Sequence, residues 1–153
     1  MADDLVKKLE REGRIAKQAA GVVQIEALLR EAIIDLDEAK KILHLADRGT
    51  YILAYNGMLK AGRAFLLMKG YRPIDGAQHK TVVEVTGAFL GNKYMDLTNH
   101  FETMRRKRNE MTYEAGALLS SSEAEQAVTD AITLVKKILA EAKSRNPQLE
   151  LEF

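Results

Sequence analysis

Apolar residues recur along most of this 153-residue chain at alternating steps of four and three positions. This spacing is typical of the buried face of an amphipathic α-helix. It is unbroken from Ile25 to Ala46, which predicts the best-defined helix of the chain. The same pattern predicts helices over about Thr50 to Lys69, over about Lys93 to Ala117, and from near Ser122 to Asn146.

Two shorter helices and a tail complete the prediction. Residues 2–20 are predicted to form a helix capped by Asp3 or Asp4, and another short helix ends at Gly91. Residues 146–153 begin with Asn-Pro and are predicted to form a loose tail. Short connections favour antiparallel neighbours. We therefore expect an all-α, up-and-down four-helix bundle with an additional N-terminal helix, in a single domain over residues 1–153.

The predicted helix boundaries depend on a few polar residues. Residues 47–50, Asp-Arg-Gly-Thr, have the composition of a tight interhelical turn. Asp75 with Gln78, and Ser122 with Glu125, have the spacing of a capping box, in which side chains satisfy the free N–H groups of a helix start.

Two glycines, Gly57 and Gly62, lie within the helix predicted over Thr50 to Lys69. A glycine costs roughly 1 kcal/mol in a helix interior relative to alanine. Their presence therefore predicts that a neighbouring backbone approaches this helix closely.

Composition restricts the classes of protein that fit this pattern. Hydrophobic residues make up 46% of the chain and aromatic residues 6%, which suits a helical bundle better than a sandwich or barrel. The formal net charge is +1, so any basic site must be local. The lack of cysteine excludes disulfides and thiolate metal sites. Because neither a signal peptide nor a bilayer-spanning apolar run is present, we expect a cytoplasmic protein without membrane association.

One predicted helix carries a charged residue within its apolar face. Six of the seven residues on this face are apolar, and the seventh is Arg108. A cation in such a face is costly unless it is paired, hydrogen-bonded or open to a cleft. Arg108 is therefore the first functional candidate, and a structural ion pair is the alternative. The face comprises Leu97, Phe101, Met104, Arg108, Met111, Ala115 and Leu118.

Two stretches of the chain resemble the HEPN superfamily of small helical-bundle proteins. The first covers residues 54–66, the following Gly-Tyr-Arg-Pro and the pair His79-Lys80. The second is Arg-Asn-Glu-Met-Thr-Tyr at residues 108–113, followed by a Ser-rich break and the last helix. The resemblance extends over residues 25–145.

The resemblance implies a homodimer in which two copies bring a polar motif into a shared cleft. Many relatives are metal-independent ribonucleases, often toxins paired with a nucleotidyltransferase antitoxin, and others are non-catalytic binding modules. The family's catalytic pattern is an arginine followed, after four to six residues, by a histidine. Arg108 and Asn109 match its start, but Tyr113 stands five positions after Arg108 and no histidine follows.

The match makes Arg108, Asn109 and Tyr113 the candidate catalytic residues. An arginine can hold two phosphate oxygens with its planar fork. A tyrosine, with a reference pKa of about 10, is a poor base at neutral pH but can donate a hydrogen bond or a proton. The alternatives are a buried core position for Tyr113 and a structural hydrogen bond for Asn109.

Arg105, Arg106 and Lys107 are candidate nucleic-acid contacts. Successive residues of a helix are ~100° apart, so this basic run winds round the helix and only Arg105 shares a side with Arg108 and Asn109. A solvated charge run is the alternative.

Three functions remain open on this evidence. The missing histidine favours a binding or regulatory module that engages RNA, a nucleotide or a protein partner without hydrolysis. A ribonuclease using Arg108 and Tyr113 is the second, and a structural interaction protein is the third. The histidines, His44, His79 and His100, lack metal-ligand spacing and no cofactor motif is present, so we expect neither a metal nor a cofactor.

Overall fold

A computed structural model describes residues 2–19 and 21–153, and this part of the chain is predominantly helical. The predicted all-α class is confirmed. None of the helices in these two ranges is long and apolar enough to cross a lipid bilayer. The helices are α1 (Ala2–Arg11), α2 (Val22–Ile42), α3 (Asp47–Met68), α4 (Gln78–Leu90), α5 (Met95–Tyr113) and α6 (Ser121–Arg145), and the smaller elements are the strands β1 (Ile15–Lys17) and β2 (Tyr71–Pro73) and a 3-10 turn at Asn92–Tyr94.

Helix α3 packs against α2, α4, α5 and α6 and so forms the centre of the molecule. Its large apolar side chains are buried, with Tyr55, Met58 and Phe65 at most 2% exposed. Leu36 of α2 and Leu134 of α6 are fully buried beside them. Burial of one such side chain contributes roughly 1.5–3 kcal/mol, so the helical apolar faces account for the assembly of these helices round α3.

The two glycines of α3 allow its neighbours to approach closely, as predicted. A Cβ at Gly57 would lie 2.9 Å from Leu36 Cδ2 and 3.3 Å from the backbone oxygen of Ala32. A Cβ at Gly62 would lie 2.7 Å from Val82 Cγ1 of α4. The predicted close approach of a backbone is therefore found at Gly57, whereas at Gly62 the close atoms belong to side chains.

The N-terminal segment is a helix followed by a strand, so the prediction of a helix over residues 2–20 is wrong beyond Arg11. Gly13 has φ +72°, a left-handed conformation that ends α1. The chain then extends, and β1 pairs antiparallel with β2, with Ile15 opposite Pro73. Strands of three residues are too short to show an alternating pattern. Met1 and Ala20, which the predicted domain and helix include, lie outside the described residues.

Two helix starts differ from the prediction. Helix α3 already begins at Asp47, so residues 47–50 are its first turn rather than a connection. Ser120, not Ser122, caps α6: its hydroxyl accepts the Glu123 N–H at 3.1 Å, and the Glu123 carboxylate accepts the Ser120 N–H at 3.1 Å. Residues 120–122 are all serine, and serine is a good cap, so the sequence did not show which of the three precedes the helix.

Helix α5 ends at Tyr113, earlier than predicted. Glu114 is extended and Gly116 has φ +83°, so the chain leaves the helix here. The predicted apolar face is consequently correct up to Met111 and wrong beyond it. Leu118 is 83% exposed rather than buried.

The C-terminal tail packs against the helices, and the prediction of a loose tail is wrong. Leu149 and Leu151 are buried as part of the core. The ring of Phe153 lies 5.0 Å from Lys40 Nζ of α2 and 5.7 Å from Lys136 Nζ of α6. Alternating apolar residues in a short terminal segment therefore anchor it across α2 and α6.

Candidate phosphate-binding cleft

A cleft of about 570 Å³ opens where the first turn of α4 faces the C-terminal half of α5. Helix α3 contributes Arg63 to its wall, and the loop before α4 contributes Asp75. Pockets of roughly 300–1,000 Å³ are typical of small-molecule sites. The cleft is therefore large enough to hold a nucleotide or a short length of RNA backbone.

The candidate residues Arg105, Arg108, Asn109 and Tyr113 all line this cleft. Arg108 is partly buried in the line of the apolar face, and its side chain opens onto the cleft. Tyr113, at the last position of α5, is 80% exposed. The core position considered for Tyr113 is thus wrong, and its ring is free to contact a ligand at the rim.

Arg106 and Lys107 do not line this cleft. The Arg106 side chain is 74% exposed, and its Nε lies 3.0 Å from Glu102 Oε2. Lys107 Nζ lies 3.5 Å from Glu123 Oε2 of α6. The winding of the helix therefore separates the four basic residues at positions 105–108, so that only Arg105 and Arg108 border the cleft.

His79, in the first turn of α4, brings an imidazole into the cleft. Its Nδ1 lies 3.0 Å from the hydroxyl oxygen of the fully buried Tyr55 in α3. Burial lowers the pKa of His79, and the positive charges of Arg108, Arg63 and Arg105 lower this pKa further. His79 is therefore predominantly uncharged at neutral pH.

Arg105 is already paired with a carboxylate. Its Nε donates to Glu102 Oε1 at 2.6 Å and its Nη2 donates to Glu102 Oε2 at 3.0 Å. The hydrogen bond from Arg105 is the main reason that the pKa of Glu102 is held below its usual range. This pair contributes donors to the cleft wall but little net charge.

Arg63, Lys80 and Arg108 carry the uncompensated charge of the cleft. Across residues 2–19 and 21–153, none of the three forms a salt bridge. Arg63 Nη2 donates to the amide oxygen of Gln78 at 3.1 Å, and Arg108 Nη1 lies 3.5 Å from Asn109 Oδ1. Neutral amides hold these guanidinium groups without cancelling their charge.

The first turn of α4 faces the same cleft without a side-chain cap. Asp75 has capping-box spacing, but it accepts hydrogen bonds from Thr81 Oγ1 at 3.0 Å and Arg14 Nε at 3.1 Å instead. The predicted capping box at Asp75 is therefore wrong. Uncapped N–H groups at a helix start attract anions, because they are free donors and carry the positive end of the helix dipole.

Arg14 fixes the loop that precedes α4. Besides Asp75, it bonds Thr81 Oγ1 through Nη2 at 2.8 Å and Glu84 Oε2 through Nη1 at 3.2 Å. The carboxylate of Asp75, although it lines the cleft, is thus paired with a cation from outside it, which Glu84 shares. The N-terminal segment thereby offsets part of the negative charge beside the cleft.

Sequence reasoning did not identify Arg63, His79 and Tyr55 as parts of one site. They lie on different helices from Arg108, and His79 shows no metal-ligand spacing to another histidine. The sequence did contain one indication that these residues belong together, because they lie within the two stretches that resemble the HEPN superfamily. The first stretch contributes Arg63 and His79 to the cleft, and the second contributes Arg108.

No protein-family model matches the chain, and searches of curated proteins and of solved structures also gave no match. Within the described ranges, no group of three or more His, Asp or Glu side chains is placed to hold a metal ion. The cleft itself is lined by arginines, a lysine, a histidine and a tyrosine, among other residues.

Proposed function

We propose that this protein is a binding module that holds single-stranded RNA through its phosphate backbone, without hydrolysing it. The observation that supports this most directly is the uncompensated charge of Arg63, Lys80 and Arg108 round one cleft. Guanidinium groups bind phosphate oxygens in a bidentate manner. The formal net charge of the whole chain is only +1, so this concentration of cations is a local feature of the cleft.

The exposed ring of Tyr113 supports a nucleic-acid ligand rather than inorganic phosphate alone. Single-stranded RNA is commonly bound by stacking of its bases on aromatic side chains beside a positively charged groove. Tyr113 lies at the rim of the cleft and is 80% exposed. A base attached to a phosphate in the cleft would have a stacking surface there.

We further propose, from the sequence resemblance, a HEPN-like four-helix arrangement formed by α2, α3, α5 and α6. In this proposal two copies associate through α5, and a nucleotidyltransferase is a candidate partner. A homodimer would place two copies of the cleft on one particle. Binding of one RNA at both clefts would then raise the apparent affinity through effective concentration.

RNA binding can be measured by fluorescence anisotropy with a labelled, single-stranded oligouridylate of about ten nucleotides. We expect Arg63→Gln and Arg108→Gln each to weaken binding by roughly tenfold, the value of a charge-assisted hydrogen bond. For each phosphate contact removed, the slope of log affinity against log salt concentration should become shallower by about 0.7.

Arg106→Gln is the matched control, because this residue belongs to the same basic run but lies outside the cleft. It should leave affinity within about twofold, the usual size of an effect at an exposed surface charge. Equal losses of affinity in Arg106→Gln and Arg108→Gln would show that RNA is bound by the basic residues 105–108 as a whole and not by the cleft. No binding at low salt would overturn the proposed function.

A metal-independent ribonuclease is the second candidate, and the presence of His79 in the cleft is the observation that favours it. A histidine beside phosphate-binding arginines is a suitable group for proton transfer. Incubation of the same oligouridylate with pure protein and EDTA tests this alternative. Cleavage that His79→Gln abolishes would favour it, and intact RNA would favour binding without hydrolysis.

A further inference from the structure

The two ring nitrogens of His79 occupy different surroundings. Nδ1 lies 3.0 Å from the hydroxyl oxygen of Tyr55, which is 0% exposed. Nε2, on the opposite edge of the ring, has no hydrogen-bond partner among the described residues, and His79 lines the cleft. Which nitrogen carries the proton is set by the hydrogen bond that the other one makes.

Tyr55 must be the donor in this hydrogen bond. Burial raises the pKa of Tyr55 to about 12, so the phenol keeps its proton at neutral pH. Within the described residues, Nδ1 of His79 is the hydrogen-bond partner found for this hydroxyl. If Nδ1 carried a hydrogen, the buried Tyr55 proton would have no acceptor, which costs roughly 1–3 kcal/mol.

We propose that Tyr55 holds neutral His79 in the tautomer protonated at Nε2, so that the cleft recognises a phosphate oxygen of RNA through this N–H donor. This inference rests on the proposed function and names the group that contacts the phosphate. In this tautomer Nδ1 already accepts a hydrogen bond and Nε2 already carries a proton. The neutral ring therefore has no free position with which to deprotonate a ribose hydroxyl, and the cleft binds RNA rather than cleaving it.

Phosphate binding is coupled to proton uptake in this arrangement. Protonation places a hydrogen on Nδ1, so the Tyr55 hydroxyl must then accept instead of donate, but this cost is the same with and without ligand. The charged groups round His79 are Arg63 of α3, Arg105 with its partner Glu102 and Arg108 of α5, Lys80 of its own helix, and Asp75 of the preceding loop, which is paired with Arg14. Without ligand, the three arginines oppose protonation of the ring. A bound phosphate offsets their charge and raises the pKa of His79, so affinity should increase as pH falls.

The tautomer can be read directly from long-range ¹⁵N–¹H NMR spectra of the unliganded protein. We expect the cross-peak pattern of a neutral ring protonated at Nε2 for His79 at pH 7.5, assigned by its loss in His79→Gln. Tyr55→Phe should convert it to a mixture of tautomers. A wild-type ring protonated at Nδ1 would overturn the inference, whether or not the Tyr55 variant folds.

Binding of a 5′-hydroxyl oligouridylate tests the recognition step. Neither its phosphodiesters nor uracil titrates between pH 5.5 and 7.5, so a change in affinity over this range reports on the protein. We expect severalfold tighter binding to the wild-type protein at pH 5.5. A pH-independent affinity would overturn the proton linkage.

Two substitutions of His79 distinguish a hydrogen-bond donor at the position of Nε2 from one near the position of Nδ1. The amide nitrogen of glutamine can replace the Nε2–H donor, whereas that of asparagine lies nearer to the position of Nδ1. His79→Asn should weaken binding at pH 7.5 by about tenfold, and His79→Gln should recover most of this loss but show no pH dependence. Equal affinities of the two variants would contradict a donor at Nε2. If the wild-type protein shows the expected Nε2-protonated ring by NMR but does not bind RNA, the proposed function is refuted and the tautomer assignment stands.

Discussion

At the scale of single residues, the position of Arg108 explains how an apolar face accommodates a cation. Met104 and Met111, on the same face, are buried in the core, whereas Arg108 opens onto the cleft. Its side chain lines the cleft, and its Nη1 lies 3.5 Å from the neutral amide oxygen of Asn109. The cost of burying an unpaired charge is thereby avoided. A phosphate would provide the counter-charge that the cleft otherwise lacks.

The lowered pKa of His79 makes the stability of the protein depend on pH. Folding lowers this pKa below the reference value of about 6.5. Just below that pH the unfolded chain binds a proton that the folded chain does not bind, so the free energy of unfolding falls as pH decreases. We expect the protein to be less stable at pH 5.5 than at pH 7.5, as measured by urea denaturation.

His79→Gln removes this contribution and should reduce the difference between the two pH values. A single proton contributes at most about 1.4 kcal/mol per pH unit, which sets the upper limit of the effect. His44→Gln, outside the cleft, serves as the control. An unchanged difference in His79→Gln would show that His79 has no part in the pH dependence of stability.

At the scale of elements, Gly62 determines how α4 sits against α3. The absence of a side chain lets Val82 pack on the α3 backbone, and the neighbouring Arg63 then reaches Gln78 at the start of α4. The close approach of these helices therefore also places the first turn of α4, with His79, in the cleft. Packing and site geometry depend on the same contact.

Gly62→Ala is expected to destabilise the protein by about 1–3 kcal/mol, despite the better helix propensity of alanine. The added Cβ would lie 2.7 Å from Val82 Cγ1 and 3.0 Å from Thr86 Oγ1, both in buried side chains that have little room to move. Chemical denaturation measures this loss. Because α4 would be displaced, RNA binding should weaken as well.

Gly87→Ala is the matched control within α4. Its Cβ would meet Thr98 at 3.4 Å, an ordinary contact distance. Here the gain in helix propensity, up to about 1 kcal/mol, should leave the protein unchanged or more stable. Similar losses from both substitutions would show that the close approach at Gly62 is not the cause.

At the scale of the whole molecule, both termini are fastened to the helices. Arg14 connects the N-terminal segment to α4, and Leu149 and Leu151 connect the C-terminal segment to the core. The first connection stabilises the loop beside the cleft. Among the described residues, Tyr113 at the end of α5 and Leu118 in the loop that follows it remain exposed large apolar side chains.

The proposed homodimer is tested by sedimentation velocity at micromolar concentration. We expect a species of twice the chain mass of 17.1 kDa. If association involves the loop that follows α5, Leu118→Glu should shift the population towards monomer, because a charge would be buried without a partner. Leu45→Glu, at an equally exposed leucine between α2 and α3, is the control. A monomeric wild-type protein would refute the dimer.

The amino-acid sequence by itself determined the helical class, most of the helices and the unusual position of Arg108. These features depend on the spacing of apolar residues within one helix, which is a local property. Four helix boundaries were misplaced, at the end of α1, the start of α3, the end of α5 and the start of α6, because more than one residue near each was a suitable cap or turn. The strand pairing was missed because three residues carry no periodicity.

Only the tertiary structure decided which residues share the cleft. His79 and Arg108 lie on different helices, and the turn before α4 and the packing at Gly62 set their relative position. The tautomer of His79 likewise depends on Tyr55, which reaches it from a third element. Local periodicity specifies which face of a helix is buried, whereas the distances between polar groups on different helices arise only when those faces pack together.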